Sequence, residues 1–140
     1  MSVYKRNIEL LISKFPSFTK QILEVYSPTP KAEFVDTPSG YPTCIYKGKY
    51  VHSRHNPVRE AKRFVESNID SPPSQCITVG FGLGYIAESI INTYPEAQLI
   101  IIEPDVPLFL RCLEKKDVTH ILSNDTVTLF LDTEPDAVIS

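Results

Sequence analysis

Apolar residues near the start of the chain recur at the spacing of a helix face. Ile8, Leu11, Ile12 and Phe15 fall at i, i+3, i+4 and i+7, predicting a helix over 3–15 that Pro16 stops. Ser17 is placed to cap a second helix carrying Phe18, Ile22, Val25 and Tyr26 on one side. The proline-rich "SPTPKAEFVDTPSGYP" (27–42) cannot sustain a helix and reads as an extended linker. In "TCIYKGKYVHS" strand-forming residues flank Lys47-Gly48, the pattern of a hairpin with a two-residue turn. Asn56 and Pro57 then suit the N-cap and first position of a helix whose apolar stripe is Val58, Ala61, Phe64 and Val65. Pro72-Pro73 closes this half.

From Cys76 onward strand and helix patterns alternate. A short apolar run (76–80) meets a glycine cluster, and Ala87, Ile90, Ile91 and Tyr94 mark a helix over 84–94. "QLIII" (98–102) is continuously apolar, as in a strand covered on both faces. Asp105 can cap a helix bearing Phe109, Cys112 and Leu113, "DVTHILSND" makes a short helical turn, and "TVTLFLD" (126–132) is a third strand. The expected fold is α/β: a small three-layer Rossmann-like parallel sheet (β-α-β-α-β) preceded by N-terminal helices and a β-hairpin. The expected division is 1–42, helices and linker, and 43–140, hairpin plus Rossmann-like half-domain. Residues 133–140 leave no room for another βα unit, so the chain is expected to be the N-terminal part of a longer protein or a partner-dependent module.

Composition narrows the function classes. The chain is 42% apolar and 22% charged with a net charge of −3, which gives no footprint for nucleic acid. No apolar run approaches the roughly 20 residues that span a bilayer, and the charged start is unlike a signal peptide. Cys44, Cys76 and Cys112 are few, odd in number and widely separated among apolar neighbours. They read as buried, reduced thiols of a cytoplasmic protein, with no disulfide framework and no zinc site.

Two stretches carry candidate chemistry. Gly80, Gly82 and Gly84 are three of only five glycines in the chain. At a strand-to-helix turn, glycines admit close approach of a ligand, and the helix start offers free N–H groups to an anion. Glu103 follows Gly84 by 19 residues, where a ribose-binding acid would stand, and Asp105 lies beside it. The dinucleotide pattern needs a small residue where Tyr85 stands, so a nicotinamide or flavin dinucleotide fits poorly. G-x-G-x-G instead resembles motif I of S-adenosylmethionine-dependent methyltransferases, with Asp132 in place of an adenine-side acid. Thr78 departs from that pattern, which has an acid two residues before the first glycine. A nucleotide or S-adenosylmethionine is therefore the candidate cofactor, and the alternative is a turn whose glycines serve packing alone.

The second stretch, "YVHSRHNPVREA", gathers Arg54 and Arg59 at a helix start, a candidate anion site. The alternative is a capped helix whose Arg59 and Glu60 satisfy local groups. His52 and His55 have no third ligand in sequence, so no metal is expected. No catalytic triad or acid–base carboxylate pair can be assigned.

Taken in order, "YKGKYVHSRHNPVREAKRFVES", "VGFGLGYIAESI" and "IIIEPDVPLFLRCLE" resemble the N-terminal domain of the motility-associated factor proteins, bacterial flagellin glycosyltransferases. The matching positions are His52, Ser53, Asn56, Pro57, Glu60 and Ala61, then Gly80, Gly82, Gly84 and Tyr85, then Glu103, Pro104 and Asp105. The resemblance covers roughly 40–132. It implies an accessory Rossmann-like domain without catalytic residues of its own. A downstream transferase domain would move a nonulosonic acid from a CMP-sugar to Ser or Thr of flagellin. The implied partners are that domain and flagellin, and a homo-oligomer stays open. The family's central domain is also similar to archaeal hydroxymethylpterin pyrophosphokinase, which leaves a nucleotide-dependent transferase as a further implication.

Overall fold

In the computed structural model, which describes residues 1–139, the first helical stripe forms α1 (Val3–Lys14) and the second α2 (Pro16–Val25). Ser2 caps α1 by accepting the Lys5 N–H at 3.1 Å. Pro16 begins α2 as well as ending α1, because the first helical position needs no N–H donor. Ser17 therefore lies inside α2 and does not cap it; the N-cap is Phe15, with no side-chain bond.

The expected linker contains a strand. β1 (Glu33–Asp36) pairs antiparallel with β2 (Pro42–Tyr46), which pairs with β3 (Lys49–Tyr50). β1 is short, flanked by prolines and mostly exposed, so it carries no apolar alternation. Its anchor is tertiary: Phe34 packs in a small core with Cys44 and Leu108, and the Arg111 guanidinium lies 4.9 Å from its ring centre. The hairpin turn falls on Lys47-Gly48, both with positive φ (52° and 75°), as a mirror-image two-residue turn requires.

α3 (Pro57–Asn68) starts at its expected cap, with Asn56 Oδ1 accepting the Arg59 N–H at 3.0 Å. Then follow β4 (Gln75–Val79), α4 (Tyr85–Thr93), β5 (Gln98–Glu103), α5 (Val106–Cys112), α6 (Thr119–Leu122), β6 (Val127–Leu131) and α7 (Pro135–Ile139). The three later strands form a parallel sheet in the order β4-β5-β6, a Rossmann-like half with the expected β-α-β-α-β course.

Register sorts the sheet's two faces. Cys76, Leu99 and Val127 are neighbours across the strands, as are Thr78, Ile101 and Leu129. That face meets Ile90 of α4, Phe109 of α5 and Ile121 of α6 in the main core. Each fully buried Leu or Ile there stabilises by roughly 1.5–3 kcal/mol. Leu11 of α1 and Ile22 of α2 join the same core. The opposite face presents Ile77, Val79 and Phe130 to solvent at 43%, 58% and 36% exposure. Contacts cross the boundary expected at residue 42, since α1 and α2 share the sheet's core and β1 bonds to β2.

Candidate functional site

The glycine turn leaves β4 and enters α4 with Gly80, Gly82 and Gly84 at φ of 89°, 56° and 85°. Gly80 N–H donates to Ile102 O at 2.7 Å, prolonging the ladder, and Gly84 N–H donates to Phe81 O at 2.9 Å, closing the turn. The glycines have different neighbours. A Cβ on Gly82 would stand 2.5 Å from His52 Nε2 and 3.0 Å from Val51 Cγ1. One on Gly84 would stand 2.9 Å from Ile121 Cδ1 and Phe81 Cζ. One on Gly80 would meet nothing within 4 Å. Two of the three glycines thus make room for the protein's own side chains.

His52 fills the hollow of the turn. It is 7% exposed, its ring stands edge-on to Tyr85 at 4.9 Å, and its carbonyl accepts the Thr43 hydroxyl at 3.0 Å. Nε2 accepts the Leu83 N–H at 2.9 Å, which places the ring proton on Nδ1. Burial, with a smaller push from the Lys116 charge, lowers its pKa to about 4, so the ring is neutral at pH 7.

Glu103 closes the turn from the other side. It is 4% exposed; Oε1 accepts the Phe81 N–H and Oε2 the Asp105 N–H, both at 3.1 Å. Burial raises its pKa, with a smaller push from Asp105, and the backbone donors of Phe81, Asp105 and Gly82 oppose this. Asp105 is engaged as well: Oδ1 caps α5 through the Leu108 N–H at 3.1 Å, and Oδ2 accepts the Tyr46 hydroxyl at 2.9 Å. Asp132 lies at the end of β6 with φ 56°, its N–H on Glu103 O at 3.1 Å. Thr78 Oγ1, where a methyltransferase would have its acid, is buried with no partner among the described residues. An anion seeking the Phe81 and Leu83 N–H groups would have to displace Glu103 and His52.

At the start of α3 the local groups are paired. Glu60 Oε1 accepts the Ser53 N–H at 2.9 Å, and Ser53 Oγ accepts the His55 and Asn56 N–H groups at 3.1 Å. Arg54 and Arg59 are exposed, and Arg54 Nε donates to His55 Nε2 at 3.3 Å. Neither arginine forms an ion pair among the described residues.

A polar cluster that sequence spacing did not single out surrounds Tyr85. The Tyr85 hydroxyl donates to Pro42 O at 2.5 Å, and burial raises its pKa. Lys116 Nζ sits 4.0 Å from the ring centre and 3.7 Å from Glu88, whose carboxylate also meets His120 Nε2 at 2.6 Å. Burial lowers the Lys116 pKa and Glu88 pulls it back up. A cavity of about 310 Å³ adjoins Tyr85, Glu88, Lys62 and Asn92. The only sequence signal was Tyr85 itself; Lys116 arrives from a loop 31 residues later. Cys44 and Cys112 lie buried in one small core as free thiols, where contact with Cys44 and burial raise the Cys112 pKa. Among the described residues no group of three His, Cys, Asp or Glu is placed to hold a metal ion. Among them, too, no helix is long and apolar enough to cross a membrane.

No family model matches the chain. Over 103 residues, 71% of its length, it is 29% identical to an uncharacterized protein of Treponema pallidum (strain Nichols), of which that match covers 35%. Its fold is similar to part of the MAf glycosyltransferase from Magnetospirillum magneticum AMB-1, with a TM-score of 0.69 at 13% identity. That likeness covers 97% of this chain and 28% of the other. The chain thus spans about a third or less of each protein, and what it shares with the second is the Rossmann-like fold and the elements preceding it.

Proposed function

We propose that this chain is a non-catalytic, cytoplasmic N-terminal domain of a motility-associated flagellin glycosyltransferase. A downstream domain would transfer the nonulosonic acid from a CMP-sugar, and this domain would position that transferase or its flagellin substrate. One observation carries the reading: the likeness to the MAf glycosyltransferase runs through 97% of this chain, helices and hairpin included, and beyond the common parallel sheet. The ordered motifs from His52 to Asp105 point the same way.

The interior of the turn supports a packing role for the glycines. His52 and Glu103 hold the amides that a phosphate or an adenosyl ligand would use. Calorimetric titration with S-adenosylmethionine and with CMP is expected to give no heat. Saturable binding of S-adenosylmethionine would replace this reading with a methyltransferase-like one. The family assignment has its own test in the reading frame. A transferase domain following residue 140 is the expected result, and a stop codon there would count heavily against it. Retention of purified flagellin by the whole reading-frame product, reduced by substitution of Arg54 and Arg59, would assign those exposed cations to the partner surface.

A further inference from the structure

β4 is one of the two edge strands of the parallel sheet. Gly80 N–H bonds Ile102 O and Gln98 N–H bonds Ser74 O, which sets the phase of the ladder. Even-numbered groups of β4 turn towards β5, so the N–H and C=O groups of Gln75, Ile77 and Val79 turn outwards. Among the described residues β4 has no second neighbour in the sheet.

Two apolar surfaces converge on that edge. On the core face, α3 packs beside α4, and Phe64 of α3 and Ile69 just after it line, with Cys76 and Thr78 of β4, a groove of about 580 Å³. Phe64 is 51% exposed there, and the Thr78 hydroxyl is buried without a partner among the described residues. On the other face, Ile77 and Val79 are exposed beside the same edge. A further parallel strand complements all of these features. Its backbone would pair with Gln75, Ile77 and Val79, one set of its alternating side chains would fill the groove under α3, and the other would join Ile77 and Val79.

Chirality says how such a strand arrives. β4, β5 and β6 succeed one another in one direction, and α4, α5 and α6 all contribute to the core on one face. A right-handed return from β6 to the outer side of β4 must carry its helix across the opposite face. That is the face on which Ile77, Val79 and Phe130 stand exposed. α7 begins at Pro135, four residues after the last residue of β6, where a crossover helix would begin.

We propose that the edge of β4 takes a parallel strand from polypeptide that follows residue 140, and the exposed face the helix leading to it, which α7 begins. The two longer proteins similar to this chain carry 65% and 72% of their length outside the matched part, ample for such a unit. A second copy fits less well. Two-fold pairing of β4 with β4 keeps both sheets' faces aligned, so two copies of α3 would compete for one junction. The inference does not depend on sugar chemistry; it shares with the glycosyltransferase reading only the premise that polypeptide follows residue 140, and hydrogen exchange at β4 tests it apart from that reading.

The test is amide hydrogen exchange over 75–79 in the product of the whole reading frame, at two protein concentrations. Ile77 and Val79 amides are expected to exchange at least about a hundredfold more slowly than in an unstructured peptide, at both concentrations. Val79→Lys is expected to cut that protection about tenfold or more, since a covering helix would bury the charge. Exchange at the free-peptide rate would overturn the proposal, as would a reading frame ending at Ser140. Protection that grows with concentration would overturn it too, assigning the edge to a second copy.

Discussion

His52 explains why the glycine turn has the shape it has. A buried neutral imidazole is a single acceptor facing a single amide, and Gly82 is the residue that lets it approach. Gly82→Ala is expected to cost more than the roughly 1–2 kcal/mol of a left-handed alanine, because the methyl also displaces His52 from the Leu83 N–H. Gly80→Ala has open space around it and should cost only the backbone term. Urea unfolding of the two variants separates them; equal losses would show that His52 yields without penalty. The same histidine predicts a pH effect. Its folded pKa, about 4, lies below the ordinary 6.5, so the unfolded chain takes up the proton first. Stability supplied by the neutral ring is complete above 6.5, falls as pH drops towards 4, and levels below. Against His52→Gln, which titrates nothing there, the wild type should lose roughly 2–3 kcal/mol more over that window. Denaturant titrations at pH 7.5 and 4 check it.

At the scale of elements, side chains from one segment close the ends of another. Asp105 caps α5 and ties it to β2 through the Tyr46 hydroxyl, so Asp105→Ala removes a cap and leaves a partly buried phenol unpaired. A loss of about 2 kcal/mol is expected, against about 1 for Tyr46→Phe, read from thermal unfolding. Asn7 does more. Fully buried on α1, it donates to Leu113 O (2.9 Å) and Lys116 O (2.8 Å) and accepts the Val118 N–H at 3.0 Å. Asn7→Ala strands two buried backbone groups and a part-buried one, and should cost on the order of 3 kcal/mol. A surface-like loss under 0.5 kcal/mol would mean that water replaces the amide.

At the scale of the molecule, α1 and α2 belong to the core of the sheet. Lys14 Nζ reaches Leu122 O and Asn124 O at 2.7 Å and Val127 O at 3.2 Å, pinning α1 to the end of the α6 segment and the start of β6. Removal of residues 1–26 should therefore abolish cooperative unfolding of the remainder and expose its apolar surface to a dye such as ANS. A truncated chain that unfolds in one sharp transition would show that the helices are an appendage.

Much of this architecture was legible locally. The caps at Asn56 and Asp105, the Lys47-Gly48 turn and the β-α-β-α-β course are each decided within a few residues by backbone chemistry and apolar period. β1 was not legible, because a four-residue edge strand among prolines is held by Phe34 and by its partner strand. Nor was the pairing of the buried amides, in the glycine turn and before α6. Leu83 meets His52 across 31 residues, Phe81 meets Glu103 across 22, and Val118 meets Asn7 across 111. Local sterics and apolar period were enough to mark most of the helices and strands, β1 and α7 excepted, and the positions where glycine must stand. What fills the glycine turn, and that β4 lies at an edge of the sheet, came from the fold alone, since burial and pairing are settled by groups distant along the chain.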